Sequence, residues 1–343
     1  MLTPLTQIMS VAIALIGGWL IPWAAMTFIM RARFKSGKQQ AANYAGKPVS
    51  YGLGIVWLVW AAVLFGSMLK ADWLRNLLAA DPFRFGTYPD ALVAHAFLGA
   101  MQRISFDNTF FVLAIPLVIS CFFFGWLDDR FGKKGSGGFK GHLKSLFKGK
   151  LTTGMIKVLG IGFTALAVSI AANGFGLVND TFSRITFFDV LWILVGTCAI
   201  ALSANLINLF DLRPARASKA YIGLLLQVFF IAVCSTLVIA AVTGLSLNAG
   251  EIVGRDLIVV LWALGPIFAI WRFDAGERAM LGDAGANAAG ALLGLYAVMN
   301  LWILLPIYAI IVFALNMLSE RYSFSTIIES VPVLQRIDQW GRP

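Results

Sequence analysis

Long apolar stretches separated by short polar segments follow one another along nearly the whole chain. A helix of about 20 apolar residues is long enough to cross the hydrocarbon core of a membrane, so each stretch is predicted to be a spanning helix. The nine predicted spans are residues 7–30, 51–69, 108–127, 153–174, 186–209, 221–243, 257–271, 285–300 and 301–318. The last two adjoin at Asn300, where we expect a kink or a very tight turn.

The composition excludes a soluble globular protein. The 343 residues are 59% apolar and 13% charged, whereas soluble domains are roughly 45–50% apolar and about 25% charged. We therefore expect an all-α integral membrane domain over residues 1–318 and a short tail over residues 319–343. The three cysteines, Cys121, Cys198 and Cys234, all lie in apolar stretches and predict neither a disulfide framework nor a zinc site.

The basic residues predict the orientation in the membrane. If the spans alternate from an external N-terminus, 21 of the 27 Lys and Arg residues lie on the inner side. The inner segments are 31–50, 128–152, 210–220, 272–284 and 319–343, and Lys157 follows in the first turns of the fourth span. Since inner loops of membrane proteins are rich in Lys and Arg, we expect the N-terminus outside, the C-terminus in the cytoplasm and residence in the cytoplasmic membrane. The formal charge of +10 then reflects topology and predicts no nucleic-acid partner.

Two adjacent acids end the third span. Carboxylates within reach of a bilayer are costly and mark functional sites, and Asp128 and Asp129 additionally repel each other. Such a pair is typical of a divalent-cation site or of proton transfer. The alternative is a solvated helix end beside Arg130.

The end of the fifth span carries Asn205, Asn208 and Asp211, three residues apart. Residues at this spacing lie near one face of a helix, where two amides and a carboxylate could bind a polar ligand. The alternative is a hydrogen-bonding set between helices. Arg213 and Arg216 follow, and their guanidinium groups suit phosphate oxygens.

The seventh span leads to Gly282-Asp283-Ala284-Gly285 and a helix rich in small residues. Glycines beside an acid let the backbone approach a ligand closely, although Asp283 could also be a simple helix cap. The predicted topology places all these acids on one membrane face, where they could hold a hydrated magnesium ion and the phosphates that it neutralises. The sequence therefore predicts phosphoryl transfer.

These three motifs resemble those of the polyprenyl-phosphate N-acetylhexosamine-1-phosphate transferases, the superfamily of phospho-N-acetylmuramoyl-pentapeptide transferase. Its members carry Asp-Asp after the third span, Asn-x-x-Asn-x-x-Asp after the fifth and Gly-Asp-x-Gly after the seventh. The matching segments here are Asp128-Asp129, Asn205 to Asp211 and Gly282 to Gly285. The resemblance extends to about residue 318.

The resemblance implies that undecaprenyl phosphate attacks the β-phosphate of a UDP-sugar of the N-acetylhexosamine class and releases UMP. It further implies a requirement for Mg2+, which Mn2+ could replace, and a place in cell-envelope glycan synthesis. Asp283 matches the metal-binding acid, and Asp128 matches the acid that takes the lipid's proton or shares in metal binding, with Asp129 in support. The residues matching the nucleotide-binding motif are Asn205, Asn208 and Asp211. A homodimer is compatible with the sequence.

The chain also departs from this family. Pro214 replaces the second acid of the family's Asp-Gly-x-Asp-Gly segment, Ala286 replaces a common serine, and the His-rich final inner loop has no counterpart. We expect Arg213, Arg216 and the tail arginines to contact the diphosphate or sugar instead. The basic segment 132–150 could contact substrate or anionic lipid headgroups.

Two other functions are compatible with the sequence. The replacement at Pro214 is compatible with a non-catalytic homologue that binds lipid phosphate or scaffolds an envelope assembly. Carboxylates and amides in membrane spans also serve ion pathways in transporters. Against transport, the acids cluster at one membrane face instead of at mid-depth, and no inverted repeat is visible.

Overall fold

The computed structural model describes residues 4–36, 40–42, 46, 48–80, 108–132, 152–173, 186–244 and 249–342. The helices are α1 (Pro4–Leu15), α2 (Ile21–Ser36), α3 (Val56–Ala80), α4 (Thr109–Phe131), α5 (Thr153–Ala172), α6 (Phe187–Phe210), α7 (Arg216–Thr243), α8 (Ala249–Asp274), α9 (Gly282–Asn300), α10 (Leu305–Ser319), α11 (Phe324–Ser330) and α12 (Pro332–Gln339). A π-helical turn, Ile16–Leu20, joins α1 to α2.

Eight helical segments of the described chain are long and apolar enough to cross a membrane. They are Leu5–Lys35, Leu53–Ala71, Thr109–Phe131, Thr153–Ala172, Phe187–Phe210, Arg216–Thr243, Ile252–Asp274 and Trp302–Ser319. The protein is therefore a multi-pass helical membrane protein, as the sequence predicted. Among the described residues, each of the nine predicted spans is mainly helical; the first covers α1, the π-helical turn and α2.

The eight apolar segments do not include the predicted span 285–300, which lies in α9. This helix is more polar than the eight segments. Between Gly282 and Ala297 every residue of α9 except Asp283 is buried. A helix enclosed by other helices does not face lipid, so it can carry glycine and asparagine where a lipid-facing helix needs apolar side chains. At the α-helical rise, its 19 residues are about 28 Å long.

Glycines bring the neighbouring helices close to α9. A Cβ atom added at Gly294 would lie 2.5 Å from the Cα atom of Ile200 in α6, and one at Gly125 in α4 would lie 2.5 Å from the carbonyl oxygen of Asp283. Side chains at these positions would push the helices apart, because small residues permit close backbone contact between membrane helices. The glycines therefore set the distance between α4, α6 and the first turn of α9.

A small sheet departs from the all-α expectation. Strands β1 (Gln40–Ala42) and β2 (Pro48–Tyr51) are antiparallel, and β2 pairs in parallel with β3 (Ala279–Met280). Ser50 lies opposite Ala279. The sheet thus holds the segment that follows α2 against the residues immediately before Gly282.

The segment that was predicted as a tail is folded onto the bundle. Phe324 of α11 stacks on Phe210 at the end of α6, with ring centroids 4.7 Å apart and ring planes 5° apart. Arg216 at the start of α7 forms an ion pair with Asp338 of α12. The tail helices therefore contact the residues on both sides of the turn between α6 and α7.

The close contact at Gly125 yields a stability prediction. We expect Gly125→Val to lower the free energy of unfolding by about 1–3 kcal/mol, because overpacking forces the backbones apart. The measurement is thermal unfolding in detergent. Gly162→Val is the matched control, since among the described residues no atom beyond the local helix backbone lies within 4 Å of a Cβ atom added there. Equal melting temperatures for the two variants would contradict the prediction.

Candidate active site

Two acids from different helices converge on one lysine. Lys157 Nζ of α5 lies 2.8 Å from Asp128 Oδ2 of α4 and 2.5 Å from Asp283 Oδ2 of α9. The hydroxyl of Thr153, one turn before Lys157, donates to Asp128 Oδ1 at 2.7 Å. All three charged side chains are less than one-third exposed. With both acids ionised, the two carboxylates and one ammonium carry a formal net charge of −1.

Asp129 binds the backbone of the first turn of α9. Its Oδ1 accepts a hydrogen bond from the Asp283 amide at 3.1 Å, and its Oδ2 accepts one from the Ala284 amide at 3.0 Å. The N-terminus of a helix has free amides and a partial positive charge that favour a carboxylate. Asp129 therefore fixes the backbone from which the Asp283 side chain projects.

Asp211 completes the support of this turn. Its Oδ2 accepts a hydrogen bond from the Gly282 amide at 2.7 Å. Burial raises the pKa of Asp211 well above its ordinary value, and the negative charge of Asp274 raises it further. Gly282 has φ +72°, a left-handed conformation that favours glycine. The first three amides of α9 are thus held by two acids from outside that helix.

The amides of the fifth-span motif do not all join the acids. Asn205 Nδ2 donates to Asn316 Oδ1 of α10 at 2.7 Å, and Asn316 in turn donates to the carbonyl of Leu202 at 3.1 Å. The backbone carbonyl of Asn208 accepts from the Asp211 amide at 3.1 Å. Asn205 therefore makes a hydrogen bond between helices, as the alternative interpretation of this motif predicts. Substrate binding by Asn205 and Asn208 stays a prediction.

The predicted phosphate-binding arginines contact the tail. Arg216 is 3% exposed, and its Nε and Nη2 atoms donate to the two carboxylate oxygens of Asp338, each at 2.8 Å. Burial alone would raise the pKa of Asp338, but its hydrogen bonds and ion pair with Arg216 hold it below the ordinary value. Arg213 Nη2 lies 2.5 Å from Glu329 Oε1. Substrate contact by Arg216 would require this buried ion pair to open.

An apolar cleft of about 390 Å³ opens beside Lys157, between α5, α6, α9 and α10. Its apolar lining includes Val158, Ile161, Leu202, Leu209, Phe313 and Met317. The polar groups on its walls are Lys157, Asn205, Asn287, Asn316 and Glu320. The lysine that holds the two acids is thus also a wall of a cavity suited to an apolar chain.

Asn287 is an unusual residue of this cleft. It lies one helical turn after Asp283, is 1% exposed, and its Nδ2 has no hydrogen-bond partner among the described residues. An unpaired buried polar group costs about 1–3 kcal/mol. A ligand oxygen in the cleft would remove that cost.

The donor set fits a magnesium ion. Mg2+ is commonly bound by one or two carboxylates, with waters and substrate phosphates completing its coordination. Asp128 and Asp283 each direct one oxygen towards the same cation, which is the ammonium of Lys157. Within the part of the chain that the structure describes, no group of three or more His, Cys, Asp or Glu side chains could hold a metal. Water and phosphate would therefore supply the remaining ligands.

Sequence reasoning missed Lys157 as a site residue and counted it only for orientation. The available signal was a lone lysine within an apolar stretch, a position that itself marks function. Asn287 and Asn316 were missed although both are amides in apolar stretches.

Apart from Gly132, the basic segment 132–150 lies outside the described residues, so its two predicted roles stay open.

The fold and the apolar helices define the class of the protein as a multi-pass helical membrane protein. Comparison of the sequence finds no matching family model and no matching curated protein. The resemblance of the three motifs to the phosphotransferase superfamily therefore stays a prediction.

The acid cluster yields a metal-binding prediction. Lys157→Met leaves two carboxylates without their cation, and we expect the free energy of unfolding to fall by about 2–3 kcal/mol. This is less than the loss for a fully buried ion pair, because Asp283 is partly exposed to solvent. Since a ligand stabilises the folded state that binds it, added Mg2+ should raise the melting temperature of this variant more than that of the unmodified protein.

The double variant Lys157→Met/Asp283→Asn is the control for this experiment. It lacks the lysine, as the single variant does, and it also lacks one of the two carboxylates. Its melting temperature should respond little to Mg2+. Equal responses of the single and double variants would show that Asp283 does not bind the ion.

Proposed function

We propose that the protein transfers a sugar 1-phosphate of the N-acetylhexosamine class from a UDP-sugar to undecaprenyl phosphate and releases UMP. The observation that carries the proposal is the convergence of Asp128, Asp283 and Lys157 at the wall of an apolar cleft. In this proposal α9 is the eighth of nine crossing helices, the N-terminus is outside, and the site faces the cytoplasm, as the distribution of basic residues predicts.

The reaction makes modest demands on a catalytic base. A new bond forms between an oxygen of the lipid phosphate and the β-phosphorus of the UDP-sugar, while the bond from that phosphorus to the bridging oxygen breaks and UMP leaves. A phosphate monoester with a second pKa of about 6 is mostly dianionic at pH 7, so the nucleophile is already deprotonated. Neutralisation of charge and in-line positioning are the main requirements.

The side chains of the cluster meet these requirements. Asp128 and Asp283 would hold the magnesium ion, which when bound neutralises phosphate charge. Lys157 supplies a fixed positive charge that a phosphate can share, because Lys157 lines both the acid cluster and the cleft. Asp129 and Asp211 act as positioning residues, since both bind backbone amides of the turn that carries Asp283.

The cleft supports an acceptor with a long apolar chain. Its lining between α5, α6, α9 and α10 is mainly apolar, whereas Lys157 and the amide of Asn287 are polar. A prenyl phosphate has the matching division into an apolar chain and a charged head. We infer that the chain enters this cleft and that Asn287 Nδ2 donates to an oxygen of the lipid phosphate.

Release of UMP by the purified protein tests the proposed reaction. The assay supplies undecaprenyl phosphate, Mg2+ and a panel of UDP-sugars of the N-acetylhexosamine class. We expect release that requires the lipid and falls at least about 100-fold in Asp283→Asn, because loss of one charge-stabilising group costs several kcal/mol at the transition state. Chelation of Mg2+ should abolish release.

The same assay separates the proposed function from the non-catalytic alternative. Absence of UMP release across the panel, with undecaprenyl phosphate still raising the melting temperature, would favour a lipid-phosphate-binding homologue. Release that continues unchanged in Asp283→Asn would rule out the proposed site.

The unpaired amide in the cleft predicts a selective effect on the lipid substrate. We expect Asn287→Leu to raise the KM for undecaprenyl phosphate about 10-fold, because one hydrogen bond to a charged group contributes about 1.5 kcal/mol or more, and to leave the KM for the UDP-sugar unchanged. Asn300→Leu is the matched control, since the Asn300 amide already donates to the Tyr296 carbonyl at 2.9 Å. A shift in the sugar KM alone would contradict this role.

A further inference from the structure

Helix α12 carries an apolar face that is largely exposed. At about 100° per residue, the side chains on this face are Val333, Leu334, Ile337 and Trp340, the last immediately after the helix. Val333 is 65% exposed and Trp340 is 69% exposed. The opposite side of the helix carries polar residues: Gln335, Arg336 and Gln339.

Asp338 and the edge of the apolar face at Trp340 attach the helix to the bundle. Asp338 is the one buried residue of α12 and lies, by helical position, between the apolar and polar faces. It accepts from Arg216, while Lys219 Nζ donates to the Asp338 carbonyl at 2.6 Å. The Trp340 ring contacts the ring of Trp271, with centroids 5.9 Å apart. These contacts fix which way the apolar face points.

The attachment points place α12 at the level where spans leave the membrane. Arg216 is the first residue of the apolar segment Arg216–Thr243, and Lys219 lies in its first turn. Trp271 lies in the last turn of the segment Ile252–Asp274. Trp side chains favour this boundary between hydrocarbon and water, where both Trp271 and Trp340 would lie.

We propose that α12 is an interfacial helix whose apolar face is inserted into the bilayer at the membrane surface next to the start of α7. Amphipathic helices of this kind lie in the membrane plane with the apolar face about 5–10 Å deep. Residues 320–342 contain three acids and three arginines. Burial of apolar side chains therefore holds the helix, and anionic headgroups are not needed. This proposal does not rest on the transferase function.

A second copy of the chain fits this face less well than lipid does. The 8 residues of α12 give a face about 12 Å long and about 10 Å wide. A stable protein interface buries about 800 Å² on each partner, several times more than this face provides.

Labelling of single introduced cysteines in neutral phosphatidylcholine vesicles tests the proposal. The variants Ile337→Cys and Gln339→Cys differ only in the face that they occupy. A charged, membrane-impermeant maleimide is added on both sides of the membrane, and labelling of each peptide is quantified by mass spectrometry, so the native cysteines can remain. We expect Cys at position 337 to react at least 10-fold more slowly than Cys at position 339, and equally fast after denaturation.

Photo-crosslinking identifies what covers the face. With p-benzoylphenylalanine at position 337 we expect lipid adducts, and at position 339 we expect few. Equal maleimide rates at the two positions in intact vesicles would overturn the proposal. A crosslink from position 337 to a second copy or to another segment of the same chain, in place of lipid adducts, would also overturn it. Protection that required anionic lipid would contradict the apolar mode of insertion.

Discussion

The arrangement of the site depends on how the N-terminus of α9 is capped. The first turn of a helix has amides without partners inside the helix, and here Asp129 and Asp211 accept from the amides of Gly282, Asp283 and Ala284. Neither acid belongs to α9, since one lies on α4 and the other follows α6. The position of the Asp283 carboxylate therefore depends on the relative positions of three helices.

Close helix packing makes this capping possible. Gly125 lies directly against the backbone of Asp283 and Ala284, and Gly290 and Gly294 of α9 lie against the backbone of α6. These contacts bring Asp129 and Asp211 within hydrogen-bond distance of the helix end. A buried helix that packs through glycine has lower hydropathy than one that faces lipid, which explains why α9 differs from the eight apolar segments of the described chain.

The apolar stretches predicted the helices well, because hydrocarbon forces a spanning segment to be both helical and apolar. The contacts that form the site were less predictable. Lys157 meets Asp283 across 126 positions of sequence, and Asn205 meets Asn316 across 111, so neither pair leaves a local pattern. The small sheet was missed because strands of two to four residues are too short to show an alternation of apolar and polar positions.

The two adjacent aspartates illustrate how the structure refines a motif. Their mutual repulsion suggested a shared cation, but Asp128 lies against the ammonium of Lys157 and Asp129 lies against the helix N-terminus. Each carboxylate therefore has its own source of positive charge. The motif residues after α6 also have separate partners: Asp211 binds the first turn of α9, and Arg216 binds Asp338 of the tail. Arg342 also donates to the carbonyl of Pro214, in the turn where the sequence differs from the transferase motif. The tail therefore binds this turn and helps to support Asp211.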